Sequence, residues 1–203
     1  MARRLGPKVK TSRRYGVALH PKAERVLAKR NYPPGQHGPK GRGKMTDYGA
    51  QLAEKQKAKL VYGILEKQFR NYYAEAVRQP GDSGVNLVRL LETRLDTVIY
   101  RLGFGQSQPQ ARQMVNHSHF RVNGKRVDVP SFQVKANDVI TVRQSSAKSK
   151  MFTNLAERLK SHDQPVWLSL DADTMTAKVL DLPAKGDIKP VFDIKAIIEF
   201  YSR

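Results

Sequence analysis

Apolar residues recur with the spacing of an α-helix across residues 46–91. The recurring positions are Val61, Ile64, Leu65, Phe69, Tyr72, Tyr73, Ala76 and Val77. Side chains three and four positions apart share one face of a helix, so this pattern predicts helices with a buried stripe. Thr46 or Asp47 can cap the start, and the proline and glycine of residues 79–82 end the run. Asn86 can cap a shorter helix that follows.

The spacing of apolar residues and the capping residues within 92–116 predict two further short helices. The stripe of the first consists of Leu95, Val98, Ile99 and Leu102. Gly103 suits the position after the end of that helix. Ser107 and Gln110 have the spacing of a capping box, which predicts the start of the second helix. Its inward positions are Ala111, Met114 and Val115. We therefore expect Arg112 and Gln113 to face outward.

Strand patterns follow. Asn123-Gly124 is typical of a tight two-residue turn, and it lies within alternating residues 120–127, which predicts a β-hairpin. A second strand pair is predicted at residues 132–134 and Val139–Val142. Trp167, Leu168 and Leu170 alternate with polar residues and predict a further strand or its end.

These patterns predict an α+β fold. A helical domain covers residues 46–91 and is completed by roughly 180–203, where Ile194, Ile197, Ile198 and Tyr201 have helical spacing and can dock on the earlier helices. An inserted domain, residues 92–160, consists of two helices packed on a small twisted sheet. Residues 1–45 form a basic N-terminal extension, and residues 161–179 form a connecting segment.

Charge narrows the class of partner. The chain has 37 Lys and Arg against 18 Asp and Glu, a net charge of +19. The net charge is +12 for residues 1–44, +2 for 45–79, +7 for 80–161 and −2 for 162–203. An excess of this size favours a polyanionic partner, with nucleic acid first and an anionic membrane surface second. No apolar run approaches the ~20 residues that span a bilayer, and the start lacks the apolar stretch of a signal peptide, so we expect neither membrane insertion nor secretion. We expect no membrane partner.

The basic extension has few large apolar residues and many prolines and glycines. Such a stretch buries too little apolar surface to fold firmly alone. It is either a floppy basic tail or an extension that orders against RNA. We favour the second, because its recurring prolines and glycines resemble a defined path. Its cations would then neutralise phosphates, and Tyr15 or Tyr32 could stack on bases.

RNA suits the inserted domain better than DNA. Its surrounding cations are Arg94, Arg101, Arg112, Arg121, Lys125 and Arg126. RNA duplexes are recognised by shape through phosphates and 2′-hydroxyl groups, which suits a helix face carrying arginines. Reading the major groove of DNA requires side chains for base edges, and the second helix offers only Arg112, Gln113 and Asn116.

Residues for catalysis or metal binding are sparse. The chain has no cysteine, which excludes disulfides and thiolate ligands and fits a reducing compartment. His117 and His119 could share one face of a strand, but we expect a surface or RNA-facing role and not a metal site. The acids Asp171, Asp173, Asp181 and Asp187 are expected to be solvated. We predict a non-enzymatic protein without cofactor or metal; an RNA-modifying enzyme and a histone-like DNA-compacting protein are the alternatives.

The sequence resembles a known family, the universal small-subunit ribosomal protein number four in its bacterial or organellar form. The stretches that carry the resemblance include Tyr32-Pro-Pro-Gly-Gln-His-Gly38, Gln68-Phe-Arg-Asn-Tyr-Tyr73, Arg94-Leu-Asp96, Tyr100-Arg-Leu-Gly-Phe104, Val122-Asn-Gly124 and Ile198-Glu-Phe-Tyr-Ser202. Their order over nearly the whole chain makes the resemblance specific.

The resemblance implies a role in the ribosome. Members of the family bind the five-way helical junction in the 5′ domain of small-subunit ribosomal RNA early in assembly. They also border the channel through which messenger RNA enters, and they touch small-subunit protein number five at an interface linked to decoding accuracy. We therefore expect ribosomal RNA, messenger RNA and that protein as partners, no homo-oligomer, and a location in a cytoplasmic or organellar ribosome.

Individual contacts follow from the matched motifs and from charge. The predicted ribosomal RNA contacts are Arg3, Arg4, Lys8, Arg13, Arg14, Lys22, Tyr48, Arg70, Arg94, Tyr100, Arg101, Arg112, Gln113, His117, Arg121, Asn123 and Lys125. The residues predicted at the messenger channel are Lys40, Arg42 and Lys44. Some family members hold a metal with four N-terminal cysteines. The matching positions here include Val9, Ser12 and Val26, which cannot replace thiolates, so we expect no such site.

Overall fold

The computed structural model describes residues 6–41, 43–147, 149–153, 155–188 and 190–203. The helices described in these ranges are α1 (Lys8–Tyr15), α2 (Pro21–Lys29), α3 (Asp47–Val61), α4 (Glu66–Arg78), α5 (Ser83–Glu92), α6 (Leu95–Arg101), α7 (Gln108–Asn116), α8 (Gln144–Ala147), α9 (Lys150–Thr153), α10 (Leu155–Lys160) and α11 (Ile194–Ser202). The strands are β1 (Phe120–Val122), β2 (Lys125–Arg126), β3 (Val139–Val142), β4 (Leu168–Asp171) and β5 (Thr176–Val179). Two compact units result, Met1–Gly84 with Lys189–Arg203 and Val85–Ile188.

The first unit contains the long helices α3 and α4. Thr46 caps α3 as predicted, because its hydroxyl oxygen accepts a hydrogen bond from the backbone N–H of Gly49 at 3.2 Å. The predicted helical run is divided after Val61, where Gly63 adopts a left-handed backbone conformation with φ +63°. Glycine reaches that region without steric cost, so it redirects the chain into α4.

Helix α11 packs against α3, which confirms that the C-terminal residues dock on the earlier helices. Asp193 caps its start by accepting a hydrogen bond from the N–H of Lys195. The hydroxyl of Tyr201 donates a hydrogen bond to Glu66 at 2.8 Å, and its ring stacks on Tyr73 with 4.6 Å between centroids. Apolar packing and a few polar bonds thus join the chain's two distant parts.

The N-terminal extension is more regular than its composition predicts. Helices α1 and α2 pack against each other around the small buried residues Ser12 and Ala23. The hydroxyl of Ser12 accepts a hydrogen bond from the N–H of Leu19 at 3.3 Å, which fixes the turn between the two helices. The sequence analysis missed these helices because small side chains, and not a stripe of large apolar ones, form their contact.

The core of the second unit lies between its helices and one face of a sheet. The fully buried apolar residues come from both layers: Leu95, Val98, Ile99, Leu102, Ala111, Val115, Phe120, Phe152, Leu159 and Val179. Gly103 has φ +83° and follows the end of α6, as predicted. This arrangement confirms an α+β fold with helices packed on a small sheet. None of the helices in the described ranges is both long and apolar enough to cross a lipid bilayer.

Within the described ranges, the sheet has five antiparallel strands in the order β2-β1-β3-β5-β4. The hairpin at Asn123-Gly124 is confirmed, but the second predicted strand pair is wrong. Residues 132–134 contribute only an isolated bridge between Gln133 and Arg94, and β3 pairs with β1 and β5 instead. Residues 161–179, expected to connect domains, supply β4 and β5, because their inward residues Leu168, Ala177 and Val179 complete the core.

Candidate nucleic-acid interface

Helices α6 and α7 are joined by a buried network of three charged side chains. Arg94, at the start of α6, donates two hydrogen bonds to the carboxylate of Asp96, at 3.0 and 2.7 Å. Arg112 on α7 donates a third to the same carboxylate at 2.9 Å. Arg94 and Asp96 are fully buried, and Arg112 keeps only 9% of its side chain exposed. One carboxylate therefore holds two helices through two arginines.

Two predictions from the sequence concern this network. Arg94 was predicted to contact RNA, and in the structure its side chain has no exposed surface and bonds to Asp96. Arg112 was expected to face outward, which is wrong, because its side chain turns toward Asp96. The spacing of apolar residues gave no sign of this, because it does not distinguish an arginine in a buried ion pair from one at the surface. A carboxylate two positions from Arg94 was the available signal for an ion pair.

The side chain of Arg101 remains partly exposed. Its guanidinium donates two hydrogen bonds to the fully buried carboxylate of Glu92 on α5, at 2.9 and 2.6 Å, and 35% of its side chain remains exposed. Tyr100 beside it is half-buried and packs against the core. The end of α6 is fixed by two neighbours, because His162 bonds to the carbonyl of Arg101 and Arg158 donates to the carbonyls of Gly103 and Phe104.

Helix α7 presents a polar face to solvent. Gln113, Asn116 and His117 are exposed, whereas Met114 and Val115 are buried. The turn after the helix brings His117 and His119 close, with 6.1 Å between ring centroids. A hydrogen bond of 2.9 Å joins Nδ1 of His119 and the hydroxyl oxygen of Ser146. Burial lowers the pKa of His119, and the charges of His117 and Arg143 lower it further. The lowered pKa favours the neutral form of the His119 imidazole at neutral pH.

The hairpin turn is rigid. Asn123 has φ +49° and Gly124 φ +75°, the left-handed conformations that a two-residue turn requires. The side-chain amide of Asn123 donates to Asp138 at 2.8 Å and accepts from the N–H of Val139 at 2.9 Å. Asn123 was predicted to contact RNA, and in the structure these two hydrogen bonds of its amide fix the turn. Arg121 and Lys125 are exposed on the flanking strands.

The first unit carries the other predicted contacts. Exposed in it are Lys8, Arg14, Lys22, Lys40, Lys44, Tyr48 and Arg70. Arg13 lies over the ring of Tyr32, with 4.7 Å between the guanidinium carbon and the ring centroid, and it donates hydrogen bonds to the carbonyls of Tyr32 and Pro33. It therefore shapes the proline-containing loop that follows α2, residues 30–41. Arg3, Arg4 and Arg42 lie outside the described residues.

Positive groups crowd the junction of α1 and α2. The ammonium of Lys8 lies 3.4 Å from Nε2 of His20, whose other ring nitrogen accepts a hydrogen bond from the N–H of Lys22. Burial and the neighbouring charge of Lys22 lower the pKa of Lys8, and burial with the charges of Lys8 and Lys22 lowers the pKa of His20. Such mutual repulsion is relieved when an anion approaches.

Sequence reasoning missed Lys178, which is exposed on β5. Residues 161–179 were read as a connection, so the cross-strand neighbours of Lys178 could not be known before the sheet order was seen. Within the part of the chain that the structure describes, no three or more His, Cys, Asp or Glu side chains gather in a way that could hold a metal ion.

Known proteins match this chain along its whole length. A family model described as ribosomal protein S4/S9 N-terminal domain matches residues 3–92, and one described as S4 domain matches residues 93–140. Small ribosomal subunit protein uS4 of Roseiflexus castenholzii is 47% identical, that of Heliobacterium modesticaldum 48% and that of Pelotomaculum thermopropionicum 49%, each with both chains covered fully. The chain therefore belongs to the family of small ribosomal subunit protein uS4.

Proposed function

We propose that this chain is a structural, non-enzymatic component of the small ribosomal subunit that binds ribosomal RNA. The observation that carries the proposal is the set of polar side chains that α6 and α7 leave accessible to solvent. Arg101 is partly exposed, Gln113 and His117 are exposed, and the buried Asp96 network holds their two helices together. The uS4 family membership and the net charge of +19 support a polyanionic partner of this kind.

Binding proceeds by positioning and charge neutralisation. Arg101 is held by Glu92 through two hydrogen bonds, so its guanidinium is already oriented when a phosphate arrives. A preorganised cation loses little conformational freedom on binding. The amide of Gln113 and the imidazole of His117 can bond to 2′-hydroxyl groups and base edges, which distinguish RNA from DNA. No covalent bond is made or broken.

The specific target proposed is the five-way helical junction in the 5′ domain of small-subunit ribosomal RNA, bound early so that assembly can proceed on it. The first unit would supply further phosphate contacts through Lys8, Arg14, Lys22 and Arg70, which are exposed. The proposed domain roles follow the predicted bounds: the extension with the helical domain binds part of the junction RNA, and the inserted domain, residues 92–160, binds another part.

Two finer roles are proposed from the resemblance. Lys40 and Lys44 are exposed beside the loop that Arg13 shapes, which suits contact with messenger RNA where it enters the subunit. The C-terminal segment has a net charge of −2, which suits a basic protein neighbour, small-subunit protein number five, at an interface that influences decoding accuracy. Both roles can be tested separately from RNA binding.

Competitive binding tests the main proposal. The purified chain is mixed with the labelled 5′-domain transcript at moderate salt, and an equal-length transcript with a disrupted junction or a DNA duplex serves as competitor. We expect a preference for the intact junction of about a hundredfold or more, since specific sites commonly exceed non-specific ones by at least that factor. Equal affinity for all three nucleic acids would mean that the chain is only a general binder of polyanions.

A further inference from the structure

The outer face of the sheet in the second unit carries a row of polar side chains that crosses all five strands. The pairing places Arg126 opposite Arg121, Arg121 opposite Thr141, Thr141 opposite Thr176, and Thr176 opposite Asp171. Directly opposite residues of antiparallel strands share one face. Neighbouring strands lie about 4.8 Å apart, so the row is about 19 Å long.

This row faces away from the helices. Phe120, Val122, Ile140 and Ala177 alternate with its members and point into the core that α6 and α7 cover. Because successive side chains of a strand point to opposite faces, Arg121 and Thr176 point to the other side. Arg121 therefore cannot belong to the same surface as Gln113 and His117, although the sequence analysis grouped them.

The charges on the outer face are predominantly positive. Two arginines stand directly opposite each other, an arrangement that destabilises a sheet unless an anion neutralises it. The carboxylate of Asp128 lies 3.8 Å from the guanidinium of Arg126, and both side chains are more than half exposed. Asp128 therefore offsets the repulsion between the two arginines only weakly. Lys178 adds a third exposed cation on β5, and the carboxylate of Asp171 bonds within its own turn to Thr174.

Hydroxyl groups lie between the cations and the acid. Thr141 and Thr176, adjacent in the middle of the row, are partly exposed, and Ser169 is exposed opposite Lys178. Arginine guanidinium groups with neighbouring hydroxyl donors are the groups that bind phosphate oxygens in nucleic-acid backbones. No large apolar side chain of the kind that anchors a protein interface belongs to this row.

We propose that the outer sheet face is a second RNA surface, which binds the phosphodiester backbone of an RNA segment different from the one at α6 and α7. The inference rests on the proposed RNA-binding function and extends it, because the second unit then joins two RNA segments through its two opposite faces. Arg121, Arg126 and Lys178 make the phosphate contacts, and the hydroxyl of Thr141 donates a further hydrogen bond to a phosphate oxygen.

Tethered cleavage tests the two faces separately. The chain has no cysteine, so one introduced cysteine gives a unique attachment point for an iron chelate that cuts nearby RNA by hydroxyl radicals. Ser169→Cys marks the outer sheet face, Asn116→Cys marks α7, and the cysteine-free chain is the blank. In a particle reconstituted with small-subunit ribosomal RNA, we expect each variant to cut a different RNA segment. Cutting from Asn116 alone would overturn the proposal while leaving the proposed function intact.

Charge removal gives an independent readout. The triple variant Arg121→Gln, Arg126→Gln, Lys178→Gln is compared with Arg78→Gln, Lys195→Gln, Arg203→Gln, which removes three exposed cations of the first unit. The logarithm of the binding constant falls linearly with the logarithm of the salt concentration, and each phosphate contact contributes about 0.7 to 0.9 to the steepness of that fall. We expect the first variant alone to make the fall shallower, by about 2 to 3. Equal slopes for the two variants would overturn the second surface. Loss of junction preference in the native chain would instead refute the proposed function itself.

Discussion

Glu92 and Arg101 form an ion pair in which the acid is fully buried while the base keeps 35% of its side chain exposed. Replacing Arg101 alone by glutamine removes the two-bond counter-ion of a buried carboxylate. We expect the free energy of unfolding to fall by about 3 kcal/mol, because an uncompensated buried charge is strongly destabilising. Urea unfolding followed by circular dichroism measures the change.

The double variant Glu92→Gln, Arg101→Gln separates folding from binding. Two amides can keep a neutral hydrogen bond, so most of the lost stability should return. We expect affinity for the 5′-domain transcript to remain about tenfold below that of the native chain, because one oriented phosphate ligand is missing. Native affinity in this stable double variant would show that Arg101 serves only the fold.

Asp96 is expected to be the most sensitive single position in the second unit. Asp96→Asn preserves the shape of the side chain but removes the charge shared by Arg94 and Arg112. Two buried guanidinium groups then lose their counter-ion, and we expect a loss of about 3 to 5 kcal/mol in the free energy of unfolding. Asp128→Asn, which alters an exposed and weakly paired acid, is the control and should change stability by less than about 0.5 kcal/mol.

Gly38 tests the proline-containing loop. A Cβ atom at this position would collide with the carbonyl oxygen of Pro33, which is part of the backbone and cannot move freely. Gly38→Ala should therefore open the loop and speed amide hydrogen exchange at Lys40 and Gly41, whose N–H groups bond within it. Gly43→Ala meets nothing within 4 Å and should leave exchange unchanged. Identical exchange in the two variants would contradict the close packing of Gly38.

Glu66 makes the first unit sensitive to acid. Burial raises its pKa, but hydrogen bonds from Lys59, Lys55 and Tyr201 outweigh burial and lower the pKa of Glu66 from 4.5 to about 2. The folded state thus binds fewer protons than the unfolded state in this window, so stability falls as the pH drops from about 4.5 toward 2. Solvent screens the 46% exposed side chain, and we expect a loss of about 1 kcal/mol.

Acid titration of unfolding measures this contribution. In Glu66→Gln the group no longer titrates, so the decline between pH 4.5 and 2 should be shallower than in the native chain. Glu75→Gln, which changes an exposed acid of the same helix, is the matched control. A decline of equal steepness in Glu66→Gln and in the native chain would show that the lysine contacts do not favour the ionised carboxylate.

Elements whose signals are local could be predicted from the sequence. Thr46 was identified as a helix cap, Gly103 as the residue beyond a helix end, and Asn123-Gly124 as a hairpin turn, since each depends on neighbours within four residues. The docking of α11 was predicted because its apolar spacing needed a partner face. Family membership was likewise predicted, from motifs in a fixed order along the chain.

Features that depend on distant residues could not be predicted. The position of β5 beside β3 depends on the folded core, so the place of Lys178 on the outer face of the sheet could not be predicted from the sequence. The burial of Arg94 depends on Asp96 and on the loop that bonds to the start of α6, where the carbonyls of Phe132 and Pro130 accept from Leu95 and Asp96. Composition and spacing alone do not distinguish the charged residues of a buried ion pair from charged residues at the surface.

The discontinuous first unit also sets an order of events during synthesis. Helices α3 and α4 leave the translating ribosome early, but Tyr201, which packs on Tyr73 and bonds to Glu66, is made only after the whole of the second unit. Domains normally fold in the order of their synthesis. We expect the nascent chain to complete its later, continuous unit first, while the earlier helices keep an uncovered apolar face until α11 emerges. Truncated nascent chains that lack α11 should therefore be the form most prone to aggregate and to bind chaperones.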